Sequence, residues 1–91
     1  MTGRVARDVV VHGRVQGVFF RDSCRREARK AGVDGWVANA ADGTVRIHLE
    51  GPREAVEAMV DWAHRGPSAA DVRGVDVHEV EPDGRPGFEV R

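Results

Sequence analysis

Apolar residues along this chain fall into two rhythms, one with a period of two and one with a period near four. The stretch "RVARDVVVHG" (residues 4–13) sets valines facing both ways, Val9 and Val11 against Val10. That pattern predicts a first strand that is central and covered on both faces. Phe20, Cys24, Ala28 and Ala31 then recur at helical spacing, with Arg25, Arg26, Arg29 and Lys30 on the other side and Gly32 as the terminator. "GWVAN" (35–39) reads as a second strand, and Asp42-Gly43 as a turn. "TVRIHLE" (44–50) alternates Val45, Ile47 and Leu49 against Arg46, His48 and Glu50, a third strand. Counted back from the Asp-Gly turn, Trp36, Ala38 and Ala40 share the face of Val45, Ile47 and Leu49, and Asn39 points to the other face.

Gly51-Pro52 opens a second helix, with proline at a tolerated first-turn position. Its buried stripe is Ala55, Val56, Met59, Val60 and Ala63, and Gly66-Pro67 stops it. "VRGVDVHEV" (72–80) is a fourth strand, in which the step from Val77 to Val80 breaks the alternation and suggests a bulge. "FEV" (88–90) closes the chain as a short strand. The order predicts an α+β fold of the ferredoxin-like split βαβ kind: βαββαβ plus a short C-terminal strand, an antiparallel sheet with two helices on one face. That architecture hosts RNA-binding, metal-binding and regulatory domains as well as enzymes, so it does not choose a function.

Composition narrows the choice. Ninety-one residues, 41% hydrophobic and 32% charged, make one domain over 1–91 with a modest core. The single cysteine, Cys24, rules out an intrachain disulfide and reads as a small core residue. No run approaches the ~20 apolar residues of a membrane span. The N-terminus has no apolar core followed by a cleavage site, so the expectation is a cytoplasmic protein without membrane association. A net charge of −1 argues against a broad nucleic-acid footprint. Yet Arg14, Arg21, Arg25, Arg26, Arg29 and Lys30 crowd one region, offset by Asp22 and Glu27. A solvated helix face and a local field that draws in a small anion are both compatible with that crowding.

The junction between the first strand and the first helix is "GRVQGVFFR" (13–21). One reading is a tight turn followed by a solvated arginine. The other is an anion cradle, in which loop N–H groups and the unpaired N–H groups of the helix start converge, with Gly13 and Gly17 allowing close approach. Arg21 is the oddity: a cation in a first helical turn is disfavoured by roughly 0.3–1 kcal/mol, and a bound anion would reverse the sign. No G-x-x-x-x-G-K-[ST] loop is present, and Cys24 is followed six positions on by Lys30 rather than by the arginine a thiolate phosphate loop needs. His12, His48, His64 and His78 are scattered, none at ligand spacing with another histidine or cysteine, and read as surface or strand residues. Ser23 belongs to no nucleophilic set and reads as a polar first-turn residue. Asn39 needs a reason at a strand end: it starts the turn through its amide, or it serves a site.

At these residues the sequence resembles the acylphosphatase family. "GRVQGVFFR" is similar to that family's phosphate-binding loop, and "GWVANAADGTV" (35–45) to its second signature; "GPREAVEAMVDWAHRGP" and the closing "FEVR" extend the likeness over nearly the whole chain. The resemblance implies hydrolysis of acyl phosphates to a carboxylate and inorganic phosphate, without metal, other cofactor or covalent intermediate. It implies that Val15, Gln16, Gly17, Val18, Phe19 and Phe20 bind phosphate through backbone N–H groups. It further implies that Arg21 grips the phosphoryl oxygens and that Asn39 orients the attacking water. Phe19-Phe20 fills positions where the family varies, and Ala40-Ala41 makes a plainer turn than many members have.

Two other readings compete. An RNA-binding module on this fold would carry exposed aromatics on its central strands, but aromatics are 5% of the chain and tyrosine is absent. An accessory domain of a larger carbamoyl-transfer protein is disfavoured by a chain that starts at methionine, ends with its last strand and lacks cysteine clusters. No strongly apolar surface is evident, so the expected state is a monomer with a small-molecule substrate.

Overall fold

In the computed structural model, which describes residues 3–91, β1 (Arg4–Arg14) runs through the middle of a five-stranded sheet. It is followed by α1 (Phe20–Ala31), β2 (Asp34–Asn39), β3 (Val45–Pro52), α2 (Arg53–Arg65), β4 (Asp71–Val80) and β5 (Phe88–Val90). The spatial order is β4-β1-β3-β2-β5. The first four strands pair antiparallel, as expected, while β5 lies parallel to β2 and makes the sheet mixed. Helix α1 packs on β2 and β5, and α2 on β1, β3 and β4.

The helices cover one face. Val9 and Val11 of β1 are buried there with Val37, Val45, Ile47 and Leu49, against Phe20, Cys24 and Ala28 of α1 and Val56, Met59 and Ala63 of α2. The rings of Phe20 and Trp62 meet edge to face, 5.2 Å between centroids, and tie the helices together. Cys24 is fully buried; burial, with Glu27 nearby, pushes its thiol up to about 12, which suits an inert core residue.

The expectation of a doubly covered β1 is not met: Val10, on the face without helices, is only half-buried. Ala31 is likewise exposed, because the chain turns at Gly32 and Val33 enters the core instead, its N–H reaching the Ala28 carbonyl. Nor is there a bulge between Val77 and Val80. Val77 pairs with Val9 and Val80 with Ala6 in unbroken register, so the two valines simply occupy opposite faces of an edge strand. The irregularity falls instead at His12/Gly13, where Arg73 of β4 is left over, just before the junction loop.

The open face is less open than the alternation suggested. His48 and Glu50 are buried, 6% and 1% exposed, rather than solvated. Nδ1 of His48 lies 2.6 Å from Asp8 and Nε2 lies 2.6 Å from Glu50. Glu50 in turn accepts the backbone N–H groups of Asp83 and Gly84, which fastens the segment leading to β5. Trp36 stacks on His48, and Arg91 lies over the Trp36 ring, 4.9 Å from its centroid. Burial alone would lower the His48 pKa, but the bonds to Glu50 and Asp8 outweigh it and raise the value.

The direction fixes a pH dependence. A histidine raised in the folded state contributes stability that is complete below its unfolded pKa, about 6.5, and lost as pH rises through the folded value. Asp8, Glu50, Asp83 and, toward Glu50, Arg4 are the charges facing it. The midpoint of urea unfolding is therefore expected to fall between pH 6 and pH 9 in the native chain. In His48→Gln the same interval should give a flat profile; an equal fall in both would assign the effect elsewhere.

Candidate active site

The junction loop leaves β1 at Arg14 and enters α1 at Phe20. Val15 and Val18 turn inward and are buried, while Gly17 and Phe19 face solvent. Hydrophobic anchoring at Val15 and Val18 thus holds the backbone around Gly17 at the surface. Gly17 has φ 74°, a left-handed conformation that glycine adopts without steric penalty. Among the described residues, no backbone or side-chain acceptor takes the N–H groups from Gln16 through Asp22; Ser23 is the first to find one, the Phe19 carbonyl at 3.1 Å. A run of donors around a glycine turn, continuous with a helix start, is an anion-binding arrangement.

Arg21, in the first turn of α1, is exposed; its guanidinium makes one long contact, 3.4 Å, to the Arg91 carbonyl at the end of β5. Arg25 lies one turn on and bonds Asp22 at 2.7 Å, and Arg26 bonds the same carboxylate. Arg21, Arg25, Asp22, Asn39, Val15, Gly17, Phe19, Phe20 and Val90 line one cleft of about 400 Å³. The loop, Arg21 and Asn39 therefore share a site. Of the loop residues expected to bind phosphate, Gln16 and Val18 do not line the cleft.

Asn39 comes to that site through a register the counting missed. Asn39 pairs with Val45, and Val37 with Ile47, so Asn39 is on the Val45 face and Trp36 is on the His48 face. The hairpin closes at Ala40 and Thr44, with Gly43 at φ 90°, so its loop has three residues and not two. One extra residue moves every side chain of β2 to the opposite face. Asp42 caps the turn by accepting from the Thr44 N–H and hydroxyl, bonds that hold its carboxyl down at about 2.

Gln16 performs a task no motif announced. Its side-chain amide donates to the Ala40 carbonyl at 2.8 Å and the Thr44 carbonyl at 3.0 Å, bolting the junction loop to the turn that follows Asn39. Each carbonyl also accepts a backbone N–H, so the loss of Gln16 strands neither. Gln16→Leu is therefore expected to lower stability by only about 1–2 kcal/mol, read from urea unfolding.

Arg25 was legible as a neighbour of Arg21 four positions on, on one helix face. Val90 was not, because nothing in the sequence announces that β5 adds parallel to β2. For metal ions, the described residues offer one group, His48, Glu50 and Asp83, with donor atoms within 4.8 Å of one another. On the face opposite the helices, His48 is bonded to Glu50 and Asp8, and the Asp83 carboxylate lies 3.7 Å from its Nε2. Among the described residues, no helix is long and apolar enough to cross a membrane.

Comparison with known proteins agrees with this geometry. A family model described as acylphosphatase matches residues 7–90. The chain is 50% identical to an acylphosphatase of Natronomonas pharaonis over 91 residues, covering 100% of this chain and 99% of that relative. It is 54% identical to an acylphosphatase of Thermococcus kodakarensis over 87 residues, 96% of each. The solved structure of an acylphosphatase from Coxiella burnetii superposes with a TM-score of 0.94 at 35% identity, covering 98% of this chain and 94% of that one. Likeness at this level, over the loop, both helices and every strand, assigns the chain to the acylphosphatase family.

Proposed function

We propose that this chain hydrolyses acyl phosphates to a carboxylate and inorganic phosphate. The observation that carries the reading is the run of uncommitted N–H groups from Gln16 to Asp22 along a loop whose Gly17, Phe19 and Phe20 line one cleft with Arg21 and Asn39. The names of its relatives point the same way.

In this reading the phosphoryl oxygens accept hydrogen bonds from the backbone of Val15 to Phe20, and the Arg21 guanidinium takes two of them. The Asn39 amide holds a water in line with the bond to the acyl oxygen. As the water oxygen approaches phosphorus, the bond to the acyl oxygen breaks and its electron pair leaves with the carboxylate. A carboxylate is a good leaving group, so no strong acid is required. The water's proton passes to a phosphoryl oxygen, since neither motif supplies a base. Phosphoryl transfer asks chiefly for positioning and charge stabilisation, and donors, guanidinium and amide provide both without a metal or a covalent intermediate. The enzyme so described is a cytoplasmic monomer; a dimer by light scattering at micromolar concentration would overturn the latter.

The test is hydrolysis of benzoyl phosphate by the native chain with and without excess chelator, with inorganic phosphate as inhibitor. Equal rates and competitive inhibition are expected. A rate lost to the chelator would remove the metal-free part of the proposal. No hydrolysis by the folded chain would leave an anion-binding domain.

A further inference from the structure

Phe19 is out of place by every local criterion. It is the single non-glycine residue with positive φ among the described residues, 64°, a conformation in which a Cβ-bearing residue is strained. It occupies the N-cap of α1 and gives the helix no side-chain cap, where a short polar side chain would. It is also 80% exposed, so burial repays neither cost, whereas its neighbour Phe20 is 2% exposed in the core. Strain held at a site without a folding reason points to function.

Its surroundings indicate which. Among the described residues the exposed large hydrophobics are Phe19, Val77 and Val90, and two of these three line the cleft that holds Arg21 and Asn39. Val90 reaches it from β5 and Phe19 from the loop, so an anion cradle is bordered by apolar surface from two separate elements. A substrate with a phosphoryl group in the cradle and an apolar group joined to it would bury both side chains.

Building on the hydrolase reading above, we propose that Phe19 and Val90 form the acyl-binding wall of this site and select acyl phosphates with an aromatic or bulky apolar acyl group over small ones. Contact between an aromatic ring and a small surface such as an acetyl methyl removes little area from water, whereas a phenyl ring removes much more, so the difference appears in kcat/KM.

The test is the ratio of kcat/KM for benzoyl phosphate to that for acetyl phosphate in the native chain, Phe19→Asn and Val90→Ser. Asparagine tolerates the left-handed conformation and caps helices, so Phe19→Asn is expected to fold with undiminished stability. The ratio should fall about tenfold in Phe19→Asn and about threefold in Val90→Ser. A ratio within twofold of native in Phe19→Asn would overturn the proposal. So would equal losses on both substrates, since Phe19 would then shape the loop and not the acyl site. If the native chain cleaves neither substrate, the hydrolase reading fails first and the acyl wall falls with it; cleavage of both with an unchanged ratio sinks the wall alone.

Discussion

Arg21→Ala is expected to lower kcat/KM for benzoyl phosphate by at least about a thousandfold, the scale on which an arginine that stabilises a transferring phosphoryl group acts. The size follows from the absence of a substitute. Arg25 lines the same cleft, but its guanidinium is committed to Asp22 at 2.7 Å, and Arg26 is drawn to that carboxylate as well. Loop N–H groups remain in the variant, so a weak phosphate site survives without the charge that offsets the transition state. Arg21→Lys keeps a point charge and loses the planar fork, and should recover only part of the rate.

Stability moves the other way. Arg21 is exposed, its one protein contact is long, and a cation sits poorly in the first turn of a helix, so its removal should leave the urea midpoint level or slightly raised. Activity lost without stability lost is the signature of a residue kept for chemistry. A residual rate above about a tenth of native would move the role to Arg25.

The same contrast explains what could be read from the sequence. Helices and strands were legible where packing dictates period: Val56, Met59 and Ala63 recur because α2 must bury one stripe, and Val45, Ile47 and Leu49 because β3 must bury one face. The loop and Arg21 stood out as candidates because glycine and a misplaced cation are local anomalies, while the choice between a solvated arginine and an anion cradle rested on the family resemblance. What escaped depends on contacts between distant segments. The face of Asn39 hung on whether the hairpin loop held two residues or three, and Asp42-Gly43 fits both. His48 and Glu50 alternate like a solvated face, and only the return of residues 83–84 and the stacking of Trp36 bury them. Gln16 lies inside a recognisable loop, but its partners are 24 and 28 residues away.

Asn39→Ala carries the second large effect, and it separates catalysis from binding. Among the described residues no hydrogen bond commits the Asn39 side chain, although Asp42, Thr44 and Gln16 spend theirs on the turn beside it. An exposed amide left unbonded at the end of an otherwise locked strand is available to a water. Its removal should cost about a hundredfold or more in kcat, the range for losing one positioned polar group at a reacting centre. The inhibition constant of inorganic phosphate should stay within about threefold, because the cradle and Arg21 are untouched. Asn39→Asp is the sharper variant, isosteric but anionic. It should weaken phosphate as well, since a carboxylate beside the cradle repels the ligand that the amide tolerates. If Asn39→Ala instead raised the phosphate constant and lowered kcat/KM by the same factor, Asn39 would be a phosphate ligand. The attacking water would then need another guide.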